Sequence, residues 1–178
     1  MYIFAMVKRL YLLLGGDDGD VRVNFDRAEE CIVQNVGKIL RRSSMYHTEP
    51  WGFVSDKYFF NQAIEVETTL SPHEILSAIL QIESKLGRYR KSEQYSSRTI
   101  DIDILFLDDI ILETSKLTIP HPRLHLRNFA LIPLNEIAPT YLHPVFRKTV
   151  TQLLNGCSDT LIVTRCDETH FSGKEENK

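Results

Sequence analysis

The sequence predicts an α+β fold, a mainly antiparallel sheet with helices packed on one face, from three observations. Four stretches carry the short apolar runs or alternations of strands: Leu10–Leu14, Lys38–His47, Phe59–Thr68 and Ile100–Leu107. Two stretches between them repeat apolar residues at helical spacing, at 21–36 and 72–86. The order is therefore strand, helix, strand, strand, helix, strand, and two helices laid on one sheet face bury both apolar stripes.

Each element has a local cause. Leu10–Leu14 is a continuous apolar run stopped by Gly15-Gly16-Asp17-Asp18-Gly19, which reads as a buried strand and a loop. Phe25, Ala28, Ile32 and Val36 then share a helical face, and Gly37 is its stop. Lys38–His47 reads as one strand with a polar face, followed by the turn-rich Thr48-Glu49-Pro50-Trp51-Gly52. In Phe59–Thr68 the alternation Ile64, Glu65, Val66, Glu67 predicts a strand with one wet face. Ser71-Pro72-His73-Glu74 is a helix start, with an N-cap serine, proline in the first turn and a glutamate placed for a capping box. Ile75, Ile79, Ile82 and Leu86 line that helix and Gly87 ends it. Ile100–Leu107 is a strand, Asp108-Asp109 a turn and Ile110–Leu112 a short return strand. Beyond it, five prolines from Pro120 to Pro144 predict short pieces, with one short helix over Thr149–Leu154. The arrangement expected is ferredoxin-like. One domain is expected over residues 1–165, with 166–178 a disordered polar tail.

Composition excludes several classes. The 178 residues are 43% hydrophobic and 25% charged, a globular balance. A net charge of −3 is no general nucleic-acid surface. Cys31, Cys157 and Cys166 are odd in number and widely spaced, which argues against a disulfide scaffold and a structural zinc site and for a reducing compartment. The apolar run at Tyr2–Val7 is followed, not preceded, by Lys8 and Arg9, unlike a signal peptide, and no stretch reaches the roughly 20 apolar residues of a membrane span. The expectation is a cytoplasmic protein, a monomer, with no membrane or nucleic-acid partner; Met6 is an alternative start.

The chemistry concentrates at Arg98-Thr99-Ile100-Asp101-Ile102-Asp103. Side chains alternate along a strand, so Asp101 and Asp103 share one face while Ile100, Ile102 and Ile104 take the buried one. Two like charges on one face repel unless a cation lies between them; Mg²⁺ suits that place, and so does a neighbouring lysine or arginine. Just upstream, Arg88, Arg90, Lys91 and Arg98 form a basic loop suited to polyphosphate oxygens, which the alternative reads as a solvated surface. Pro120-His121-Pro122-Arg123-Leu124-His125 and Arg127-Asn128-Phe129 form a third cluster. His121 and His125 have the spacing of a helical zinc pair, but Pro122 opposes a regular helix there; His121 and Arg127 could instead donate to phosphate. Phe59 and Asn61 share a strand face, where a ring beside an amide can hold a flat heterocycle or form ordinary core.

Together, Gly87-Arg88-Tyr89-Arg90-Lys91, Arg98–Leu105, Ile119–Pro139, Ser43–Gly52 and Phe59–Thr68 resemble the 6-hydroxymethyl-7,8-dihydropterin pyrophosphokinase family over about 11–154. The resemblance implies transfer of pyrophosphate from ATP, as co-substrate, to the hydroxymethyl group of the reduced pterin, with AMP released, in folate biosynthesis. It implies two Mg²⁺ ions on Asp101 and Asp103. It implies catalytic roles for Arg88, Arg98, Asp101 and Asp103, and nucleotide or phosphate contacts from Glu83, Arg88, Arg90, Lys91, Arg98, Lys116, His121 and Arg127. It implies a pterin between Phe59 and Phe129, bonded by Asn61 and by the backbone near Thr48 and Trp51. The chain departs from the family pattern at Gly15-Gly16-Asp17, commonly Gly-Ser-Asn, and at Tyr95-Ser96-Ser97, frequently Trp-Gly-Pro. A nucleotidyltransferase keeps its glycine pair and its paired aspartates close in sequence, whereas Gly16 and Asp101 stand far apart here. A ferredoxin-like RNA-binding module would carry an aromatic signature that this chain lacks.

Overall fold

The computed structural model describes residues 6–48, 58–87 and 99–167. Leu10–Leu14 lies within strand β1 (Lys8–Gly16), and helix α1 follows over Val21–Asn35, capped by the Asp20 carboxylate, which accepts the Val23 N–H at 3.1 Å. Strand β2 (Lys38–Arg42) and strand β3 (Tyr46–Thr48) both pair with strand β4 (Phe59–Thr68). The single strand expected over Lys38–His47 is thus two, interrupted at residues 43–45, where the Ser43 hydroxyl accepts the Ala63 N–H of β4 at 2.9 Å. Helix α2 (Pro72–Lys85) has the expected capping box: Ser71 Oγ accepts the Glu74 N–H while Glu74 Oε2 accepts the Ser71 N–H at 2.8 Å. Strand β5 (Asp101–Leu107) completes the expected series.

All pairings are antiparallel, in the order β5-β1-β4, with β2 and β3 on the far side of β4. Leu10, Leu12 and Leu14 of β1 and Ile100, Ile102 and Ile104 of the β5 segment face α1 and α2, where Phe25, Ile32, Ile75 and Ile79 complete one core. Fully burying a side chain of this size contributes ~1.5–3 kcal/mol. Between Tyr11 and Leu12 the β1–β5 ladder shifts register, which leaves Leu105 without a partner on β1. Leu105 and Phe106 consequently both enter a second core on the opposite face.

That second core corrects the expectation of helices on one face. α1 and α2 do share a face, but helix α3 (Asn128–Ile137) and helix α4 (Val150–Asn155) cover the other. α3 also overturns the reading of a proline-broken C-terminal third, for it contains Pro133. An interior proline costs about 3 kcal/mol, whereas Ala130, Leu131, Leu134 and Ile137 are all buried against the sheet and outweigh it. The cover changes Glu65 as well. Expected on a wet face, it is 2% exposed, with Arg9 Nη1 at 2.6 Å and Arg41 Nε at 3.1 Å. Arg41 Nη1 also donates to Ile137 O at the end of α3 (2.9 Å).

The expected return strand at Ile110–Leu112 does not rejoin the sheet. Asp108, with φ of 43°, hooks back onto β1, donating to Arg9 O and accepting the Arg9 N–H at 2.8 Å. Downstream, Leu112–Glu113 (β6) pairs with Thr118–Ile119 (β7) as a separate ribbon. Short strand β8 (Val163–Arg165), unforeseen in the sequence, pairs with β3, and the Cys166 N–H donates to Met45 O at 2.8 Å. The rest of the expected tail, 168–178, lies outside the described residues. Among the described residues no helix is long and apolar enough to cross a membrane.

Two predictions follow from the packing. A Cβ on Gly37 would stand 2.0 Å from Glu67 O, a clash with backbone. Gly37→Ala is expected to cost ~1–3 kcal/mol, read as a lower urea midpoint; an unchanged midpoint would show that the turn relaxes freely. His143 is 3% exposed, and its Nδ1 accepts the Val145 and Phe146 N–H groups, both at 3.2 Å. Burial, aided by the His125 charge, lowers its pKa from 6.5 to about 4. The fold thus prefers the neutral ring, so this contribution is complete above pH 6.5 and is lost as pH falls toward 4. The drop in melting temperature across that window should be smaller in His143→Asn, which keeps an acceptor and cannot titrate.

Candidate active site

The site grows from the register of the central strand. Gly15 pairs with Asn61 on one side and Asp101 on the other; two residues earlier, Leu13 pairs with Ala63 and Asp103. Alternation therefore sends Asn61, Asp101 and Asp103 to the face that carries Leu13 and Ala63, the face covered by α3. Asp101 and Asp103 are both half-buried there. Gly15, read from the sequence only as part of the turn after the first strand, was not counted among the site residues. A Cβ there would lie 3.0 Å from Phe59 Cε1 and 3.4 Å from Asn61 Oδ1, so the bare backbone makes room for the ring. A glycine ending an otherwise leucine-rich strand is the signal that could have found it.

On the nucleotide side expected from sequence, Glu83, Asp101, Asp103, Lys116 and His121 line one cavity of about 360 Å³, together with Thr118 from β7. Thr118 was not anticipated; it comes to the site because β6 and β7 fold as a ribbon beside β5. Glu83 is 3% exposed, and its Oε1 accepts the Ile102 N–H at 2.9 Å, so a carboxylate from α2 grips the strand between the two aspartates. Lys116 is exposed at the cavity margin. Burial pushes the His121 imidazole below its ordinary pKa; Asp103 pulls it back up, while Arg127 and Arg123 lower it further. Its Nδ1 accepts the Arg123 N–H at 3.2 Å, which leaves the proton of the neutral ring on Nε2 as a donor. His125 does not join it in a zinc pair: its ring packs on Phe146, 4.6 Å between centroids. No group of three or more potential metal ligands of the His, Cys, Asp and Glu types occurs among the described residues.

On the other side, Phe59 and Asn61 open β4 and face α3. Asn61 is 1% exposed, and its Nδ2 has no hydrogen-bond partner among the described residues. An unmet buried donor is costly, so an acceptor on a bound molecule fits this amide. Tyr46 stands opposite Asn61 on β3, and its hydroxyl donates to Glu136 Oε2 of α3 at 2.8 Å. Burial and that bond raise the Tyr46 pKa to about 12, so it stays a neutral donor. Thr48 is buried, and its hydroxyl donates to Phe59 O at 3.4 Å. Phe129, in the first turn of α3, packs against the second core with the Arg127 guanidinium 5.3 Å from its ring centre. Trp51, Arg88, Arg90, Lys91 and Arg98 lie outside the described residues.

The grip of Glu83 on β5 is testable. Glu83→Ala orphans the buried Ile102 N–H and should cost ~1–3 kcal/mol of stability, whereas Glu83→Gln keeps an acceptor and should cost less. Equal losses by chemical denaturation would assign the effect to charge and not to this bond.

Comparisons with known proteins converge on one family. Residues 11–139 match the model of the 7,8-dihydro-6-hydroxymethylpterin-pyrophosphokinase family. The 2-amino-4-hydroxy-6-hydroxymethyldihydropteridine pyrophosphokinase of Synechocystis sp. is 38% identical over 151 residues, covering 84% of this chain and 76% of the relative. The enzyme of the same name from Porphyromonas gingivalis is 40% identical over 139 residues, covering 76% and 93%. A crystal structure of wild-type Plasmodium falciparum HPPK-DHPS with pteroate superposes with a TM-score of 0.67 at 21% identity. The superposition covers 85% of this chain but only 42% of that one, and at this identity it speaks to the fold alone.

Proposed function

The chain belongs to the 7,8-dihydro-6-hydroxymethylpterin-pyrophosphokinase family and is a pyrophosphokinase of folate synthesis; from that premise we propose how its residues divide the work. The reaction moves the pyrophosphoryl group of ATP to the hydroxymethyl oxygen of 6-hydroxymethyl-7,8-dihydropterin: a new O–Pβ bond forms, the bridge from α- to β-phosphorus breaks, and AMP leaves. The observation that carries the reading is the row Asn61–Gly15–Asp101, which sets a buried amide, its Nδ2 without a partner among the described residues, beside an acidic pair in one sheet register.

Asp101 and Asp103 would hold two Mg²⁺ ions, since paired carboxylates at alternate strand positions suit a hard cation. The ions, when bound, would neutralise charge on the triphosphate. Neutral His121 offers its Nε2 proton to a phosphate oxygen, and Lys116 and Arg127 supply fixed positive charge. Glu83 holds the acidic strand and borders the nucleotide cavity. By motif, Arg88, Arg90, Lys91 and Arg98 contact the triphosphate, with Arg88 and Arg98 catalytic. Phe59 and Phe129 flank the pterin ring, Asn61 bonds its polar edge, and the Thr48 and Trp51 backbones assist. Catalysis on this reading is positioning plus electrostatics.

We read residues 1–165 as one pyrophosphokinase domain of ferredoxin-like type, which the strand order β5-β1-β4-β2 with α1 and α2 on one face supports. We further read it as a cytoplasmic monomer that takes ATP and the pterin, with no nucleic-acid or membrane partner, in keeping with its modest negative charge. The test is incubation with ATP, Mg²⁺ and the reduced hydroxymethylpterin. AMP should appear only when all three are present, and Asp103→Asn should lose most of that turnover while remaining folded. Mg·ATP should raise the melting temperature of the wild type more than that of the variant. Near-normal AMP release from folded Asp103→Asn would return the pair to a surface role.

A further inference from the structure

We infer that Asp159 is a positioning residue for the pterin wall. The inference rests on the reading of Phe129 as a pterin contact. The residue at the N-cap of α3, Arg127, makes no capping hydrogen bond through its side chain. The task falls to a residue far along the chain: Asp159 Oδ2 accepts the Asn128 N–H at 2.8 Å, and Asn128 Nδ2 donates to Asp159 O at 2.6 Å. The carboxylate is itself held, because its Oδ1 accepts the Leu161 N–H at 3.0 Å. A negative group at this end also complements the dipole of α3.

Asn128 stands between the two residues that meet the ligand, Arg127 and Phe129, whose guanidinium and ring lie 5.3 Å apart. Pinning Asn128 at backbone and side chain therefore fixes where that pair begins. The segment carrying Asp159 goes on to form β8, whose Val163 and Arg165 pair with Thr48 and Tyr46. One stretch of chain thus ties the start of α3 to the strand opposite the start of β4. It lies beyond residues 11–139, the part matched to the family. A local serine or aspartate cap would stabilise α3 equally well. Using Asp159 instead makes the placement of Phe129 depend on the docking of residues 157–165.

The experiment is steady-state AMP release by the full chain with Asp159→Ala, Asp159→Asn and, as a reference, Thr149→Ala, which removes the cap of α4 away from the site. Asp159→Ala should raise the pterin KM about tenfold, in keeping with loss of a charge-assisted bond that orders a binding wall, and leave the ATP KM within about twofold. Asp159→Asn retains an acceptor and should fall between. Thr149→Ala should lower the melting temperature and move neither KM. If Asp159→Ala fails to fold, the pterin KM of Asp159→Asn decides, and a wild-type value would overturn the inference. So would a lower melting temperature in Asp159→Ala with both KM values unchanged, or a parallel rise in both. Absence of pterin-dependent AMP release from the wild type would overturn the functional reading itself, a result distinct from either.

Discussion

Gly15 lies opposite Asn61 on one side and Asp101 on the other, and that double pairing of the central strand aligns a buried amide with an acidic pair across three strands. Side chains alternate with period two, so a slip of one residue in either ladder would turn Asn61 or both aspartates into the opposite core. The register is held by the leucines between: Leu10, Leu12 and Leu14 fill the core under α1 and α2, while Leu13 enters the second core under α3. Burial on both faces of β1 thus keeps the chemical groups in line, and the site needs no dedicated scaffold.

The second constraint is the seating of α3. Glu136 accepts bonds from Ser44 N–H, Ser44 Oγ and Tyr46 Oη, all between 2.8 and 2.9 Å. Arg41 bonds the last carbonyl of the helix while paired with buried Glu65. Glu65 is the buried member, and the exposed Arg41 and Arg9 both face it, so loss of Glu65 would break the link that joins the sheet to the end of α3. Phe129 is carried in the first turn of the same short helix, so polar fixing near Glu136 and Arg41 at its other end helps to seat that residue against the second core.

Much of this was legible in the sequence because local rules sufficed. The bounds of β4 match the expected Phe59–Thr68, the Ser71–Glu74 capping box is present, and the placing of Asp101 and Asp103 on one face needed only strand periodicity. What failed depended on partners distant in the chain. Glu65 looked solvated because α3, which covers it, lies some seventy residues on; α3 itself was hidden by Pro133, whose local cost is outweighed by burial that no local window contains. The return strand after Asp108 was misplaced because a side-chain hook onto Arg9 redirects the chain. Of the residues singled out in the sequence, Asn61 is buried on the face covered by α3 and His121 lines the cavity beside Asp101 and Asp103, whereas the place of Thr118 comes from the β6–β7 ribbon, which no local window contains.

Strand β5 ends the sheet, and an edge strand offers unpaired backbone groups to any other strand that meets it. Here the exposed edge is occupied at two places: Ile102 N–H by the Glu83 carboxylate, and Leu105 O by the His121 N–H. Both plugs come from residues that line the cavity beside the acidic pair. The lining of that cavity therefore also covers the edge at which self-association would begin. Sequence change at Glu83 is consequently answerable to solubility as well as to the stability of β5, and the two demands act on one carboxylate.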